Sequence, residues 1–154
     1  LAGGINRMIT LNDLITRFNK DNELAELTDR ENYADIDVAV VNMAIRDAEG
    51  VVESYLNAVG LVKRSLDGEL LYIASATVPE ALQSKTCDIA RWYLHDDQVT
   101  SEVQKRYDEA IKWFERVQKN PAMLTGIDDK NGNTDGINSG IAVMANPTPN
   151  MWKI

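Results

Sequence analysis

The segment Arg91-Trp-Tyr-Leu-His95-Asp96-Asp97 sets the only histidine of the chain directly before two carboxylates. A histidine and an aspartate can make a general base with its orienting acid, or part of a metal site. Adjacent positions on a helix point in different directions, however, and a catalytic pair needs convergent side chains. His95, Asp96 and Asp97 are therefore expected to finish a helix and pair with a partner, and a small hydrolase using His95 with either Asp is the weaker alternative. Cys87 lies inside an apolar helical band with no basic residue adjacent in sequence to activate it, so it reads as core. One cysteine and one histidine build neither an intrachain disulfide nor a Cys/His zinc site, and a reducing compartment fits best.

Asn131-Gly-Asn133-Thr-Asp135-Gly136-Ile137 resembles the opening of a calcium loop, with oxygen-bearing side chains at positions one, three and five and glycine at six. Its twelfth position is Ala142, where a bidentate glutamate belongs, so a linker is expected instead. Neither GxxxxGK[ST], GxGxxG nor GxSxG occurs, so the usual signatures of nucleotide binding and acyl transfer are missing. No cofactor or metal is expected.

The elements that would position these residues are mostly helical. Thr10 and Asp13 form a capping signal, and Leu11, Leu14, Ile15 and Phe18 recur at helical spacing, which predicts a helix over about 11–19. Asp21 caps one or two further turns through Leu27, and 28–35 reads as irregular. Val41, Ala44, Ile45, Ala48, Val52, Tyr55 and Leu56 predict a long amphipathic helix over 37–59, with Gly60 as its stop. Asp67-Gly68 between two apolar runs predicts a β-hairpin over 61–74 with a two-residue turn. Pro79 at a first helical position opens a helix carrying Leu82, Thr86, Ile89, Ala90, Tyr93 and Leu94. Thr100 caps the last helix, 101–119, where Val103, Tyr107, Ala110, Ile111, Phe114 and Val117 form the cleanest apolar stripe and are expected in the core.

The fold class is thus mainly α: a small helical bundle with an inserted β-hairpin and an extended C-terminal arm. Residues 1–7 read as a leader or cloning remnant, 8–120 as the helical domain and 121–154 as the arm, whose stretch 128–140 has the polar, Gly-rich composition of a spacer. Lys63, Arg64, Leu70, Leu71 and Tyr72 combine charge and apolar area on a hairpin expected to project and touch a neighbour. Trp113 borders the core stripe and suits either core or partner contact. Met151 and Trp152 end the arm as an apolar anchor for another protein chain.

Sixteen Lys and Arg against twenty-four Asp and Glu give a net charge of −8 over 154 residues. That balance lacks the basic footprint of a dedicated nucleic-acid binder, although a small regulatory or nucleic-acid-binding helical module is kept as the alternative function. No apolar run approaches the roughly 20 residues that span a bilayer, so a soluble intracellular protein with no membrane contact is expected.

Five stretches carry a resemblance to a known family: Met8-Ile-Thr-Leu-Asn-Asp-Leu-Ile-Thr-Arg-Phe18, Glu23-Leu-Ala-Glu-Leu-Thr-Asp-Arg30, Ala44-Ile-Arg-Asp-Ala-Glu49 with Tyr55-Leu56, Cys87 to Asp97, and Val103 to Val117. Over about residues 8–120 the chain resembles the Mu-like phage family of head-tail joining or head-completion proteins. The resemblance implies a connector subunit without catalytic residues. Such subunits form a homo-oligomeric ring, commonly of twelve copies, beneath the portal protein and bridge it to a neck or tail-completion protein. It places the protein in the virion neck after assembly in the host cytoplasm, with DNA passing through the lumen without specific binding. The stretch from Gly60 to Val78 is longer than the short connection of that family, and the tail after Gly126 has no matching pattern.

Overall fold

The computed structural model describes residues 7–18 and 22–124. Its chain divides into two units, Leu1–Lys119 and Asn120–Ile154. In the first unit the order is α1 (Leu11–Phe18), α2 (Glu23–Thr28), α3 (Val38–Leu56), β1 (Val62–Arg64), β2 (Leu70–Tyr72), α4 (Glu80–His95) and α5 (Ser101–Lys119). The protein is mainly helical with one small antiparallel hairpin. Of the second unit, 120–124 form one turn, in which the Met123 and Leu124 amides donate to the carbonyls of Asn120 and Pro121.

Local sequence sets the helix ends. The Thr10 amide donates to Asp13 Oδ2 at 2.7 Å while the Asp13 amide donates back to Thr10 Oγ1 at 3.3 Å, a reciprocal capping box that starts α1. Asp37 Oδ1 accepts from the amides of Ala39 and Val40 and starts α3. Gly60, at φ +79°, ends the same helix: Leu61 N–H reaches the Leu56 carbonyl and Gly60 N–H the Asn57 carbonyl, the two bonds of a Schellman motif. Thr100 Oγ1 accepts from Val103 N–H at 3.2 Å and starts α5. Pro79 does not occupy the first helical position: it flanks α4 at φ −60°, ψ 144°, and its carbonyl takes the first helical bond from Gln83. The expected cap Asp21 lies outside the described residues.

The core forms where α3 packs on α4, α4 on α5, and α1 lies against α3 and α4. Leu14, Val41, Val52, Leu56, Leu82, Ile89 and Phe114 are fully buried there. Each such side chain contributes about 1.5–3 kcal/mol by leaving water. Tyr107 and Ile111 depart from the core assignment. They are half-buried on the shoulder of the α5 stripe, where Tyr107 stacks on Trp92 at 4.5 Å and Trp92 Nε1 donates to Gln104 Oε1 at 2.9 Å. Large amphipathic rings sit well at such an edge, with a face packed and the polar tip wet.

The hairpin turn also differs from expectation. Arg64 pairs with Leu70, and the Ser65 amide donates to the Glu69 carbonyl, which leaves a three-residue loop, Leu66-Asp67-Gly68. Gly68 N–H closes a turn on the Ser65 carbonyl, and Gly68 at φ +85° supplies the left-handed residue such loops require. Among the described residues no helix is long and apolar enough to cross a membrane.

Candidate partner surfaces

The hairpin is anchored to the helical body rather than held clear of it. Val62, Leu70 and Tyr72 are buried. Strand alternation turns these three toward the helices, and Leu71, on the other face, makes an isolated bridge with Arg7. Leu70 and Tyr72 are therefore core residues and not the exposed partner contacts expected of them, because a two-stranded hairpin is marginal in water and needs a packed face. Arg64 is likewise engaged at home: its Nε and Nη2 lie 2.9 and 2.8 Å from Glu53 Oε1, and Nη1 donates to the Gly68 carbonyl at 2.8 Å. Lys63 and Leu66 remain exposed, the latter fully so at the loop tip.

Beneath the hairpin lies a carboxylate that sequence reading passed over. Glu49 is 3% exposed, its Oε1 is 4.0 Å from Arg64 Nη1, and its Oε2 has no hydrogen-bond partner among the described residues. Burial pushes its pKa up to about 7, opposed by the charges of Arg7 and Arg64. Arg7, Asn42, Arg46, Asp67 and Glu69 line the adjoining cavity of about 290 Å³. The clue was available: Glu49 continues the Val41, Ile45, Val52, Leu56 stripe at helical spacing.

On a different flank of α3 a groove of about 560 Å³ opens toward the ends of α2 and α4. Val40 and Met43 of α3, Leu27 of α2 and Tyr93 of α4 supply its apolar lining, with Asp47, Asp96 and Arg30 also facing it. Met43 is 57% exposed. Burial and the Asp47 charge raise the Tyr93 pKa above the ordinary phenol value. Of these groove residues only Asp96 is marked by the sequence as pairing with a partner, because an exposed methionine on an amphipathic helix carries no signal until its neighbours are known.

The remaining sequence candidates separate. His95 is 9% exposed and turns inward, with Nε2 at 3.5 Å from Glu23 Oε2. Asp97 instead meets Arg30 at 3.4 Å, and Asp96 adopts φ +54° past the helix end. His95 is thus not brought together with Asp96 or Asp97, and the hydrolase pair does not assemble. Cys87 is fully buried and its thiol pKa is pushed up to about 12 by burial, consistent with a core residue. Trp113 is half-buried, its ring edge-on to Phe114 at 5.1 Å. Among the described residues no group of three or more His, Cys, Asp or Glu is placed to hold a metal ion. Met151, Trp152 and the loop 131–142 lie outside the described residues.

Residues 9–142 match the protein family described as "Bacteriophage Mu, Gp36". The chain belongs to that family. It is 27% identical over 111 residues to "Gene product J" of Escherichia phage Mu, covering 71% of this chain and 70% of that protein. It is 29% identical over 94 residues to "Mu-like prophage FluMu protein gp36" of Haemophilus influenzae, covering 61% of this chain and 59% of that relative. In this Mu family member the hairpin and the groove of α3 fall inside the matched range, as do residues 125–142 beyond the described structure.

Proposed function

We propose that the chain is a structural virion protein, a head-tail connector subunit that forms a ring beneath the portal and joins the DNA-filled head to the neck or tail. Its body is residues 8–120, and 121–154 serve as an arm whose Met151 and Trp152 dock on a neighbouring copy or on the portal. The virion neck is its place, reached by assembly in the host cytoplasm, with a neck or tail-completion protein as the second partner. The supporting observation is that a Mu family chain carries two unlike surfaces on different flanks of one helix, the charged and apolar hairpin tip and the α3 groove. Unlike surfaces on one subunit are what a head-to-tail ring requires, whereas a two-fold dimer uses one self-complementary patch. The net charge of −8 suits a lumen along which DNA slides without sticking.

Deleting the gene from its phage tests this. DNA-filled heads and complete free tails should accumulate unjoined, and purified protein should restore joining. Empty heads, or tails that fail to form, would contradict the proposal.

A further inference from the structure

We propose that the hairpin tip of one copy, Leu66 with Lys63 on the adjoining strand, seats in the α2–α3–α4 groove of the next copy. The inference rests on the ring reading above and names its contact. Leu66 is fully exposed as the first residue of a three-residue loop and has no packing role in its own chain. The loop is held in place by Arg64, which grips the Gly68 carbonyl at one end and Glu53 at the other, so the tip is presented rigidly. Preorganisation of this kind lowers the entropy cost of association.

The groove offers what that tip lacks. Its lining of Leu27, Val40, Met43 and Tyr93 accepts an aliphatic side chain. Asp47 and Asp96 also line it, and neither is in an ion pair among the described residues, so both are available to the Lys63 ammonium. Arg30, at the same rim, is the cation for Asp67 beside Leu66; its own contacts are long, 3.4 Å to the largely exposed Asp97 and 3.5 Å to the Leu27 and His95 carbonyls. Charges of each sign thus find their opposites across the contact, which fixes register more than it adds affinity. The tip stands over the Asn42, Arg46 and Glu49 flank of α3 while the groove runs along Val40, Met43 and Asp47, and no hairpin residue lines the groove. Tip and groove on separate flanks make a heterologous contact that repeats from copy to copy until it closes.

Variants of the full chain with one added cysteine test the contact, since native Cys87 is buried and its thiol is held protonated. Leu66→Cys and Met43→Cys chains, mixed under mild oxidation, should form a mixed disulfide several-fold faster than either variant alone or than Leu66→Cys with the exposed control Ser101→Cys. The reaction should slow when Lys63→Glu is added to the first chain and recover when Asp47→Lys is added to the second. Equal rates in all mixtures would overturn the contact. If cross-linking is unselective yet the portal still gathers many copies, the contact is wrong and the connector reading stands. If the portal gathers none, the connector reading itself fails.

Discussion

Arg91 Nε donates to Glu23 Oε2 at 2.7 Å, and Arg91 Nη2 lies 2.7 Å from the same oxygen. His95 Nε2 lies 3.5 Å from the same oxygen, and the Arg91 guanidinium sits 4.7 Å above the centre of the Phe18 ring. One carboxylate therefore fastens α2 to α4, two elements 68 residues apart in sequence. Both ionic side chains are largely shielded from water, so removing one leaves the other without its compensating charge. Glu23→Ala should lower the free energy of unfolding by about 2–4 kcal/mol in urea melts. Replacing both residues by apolar ones of similar size should recover much of that loss, and the double-mutant cycle measures the coupling.

Phe114 is fully buried, stacked on Tyr55 at 6.1 Å and edge-on to Trp113 at 5.1 Å. Phe114→Ala should cost about 3–5 kcal/mol, the transfer loss of the ring plus the cavity left between α3 and α5. Ile111→Val, at a half-buried position, should cost under about 1 kcal/mol in the same denaturant melts.

Glu49 gives the fold a pH signature. Its folded pKa of about 7 stands above the ordinary value of 4.5, so between these values the folded chain holds a proton that the unfolded chain has released. Its contribution to stability is therefore present at pH 4.5 and below, and is lost as pH rises toward and through 7, by up to about 3 kcal/mol. Glu49→Gln should be more stable than the parent at pH 8, with the difference shrinking toward pH 5. Thermal melts of both proteins across that range check the sign.

Helix boundaries were legible because their signals are local: the Thr10–Asp13 box, Asp37, Gly60 and Thr100 act within a few residues of their own positions. Leu66 shows where local reading stops. An Asp-Gly turn fits either a two- or a three-residue loop, and the register that puts Leu66 at the tip is fixed by burial of Val62, Leu70 and Tyr72 against the helices. The partner surfaces were less legible still. Leu70 and Tyr72 have the composition of an interface, yet the same apolar area serves the core, and composition alone does not distinguish the two. Glu23, Arg91, Arg30 and the groove residues depend on contacts between elements far apart in the chain, for which no spacing rule exists.

The central claim is that this Mu family chain is a ring-forming connector subunit, and native mass spectrometry of the chain alone and with its phage's portal tests it most directly. The isolated chain should run as monomer and weak concentration-dependent oligomers. With portal present, a closed set of copies matching the portal's own rotational symmetry should add to it. A tight dimer that persists unchanged in the presence of portal would contradict the account.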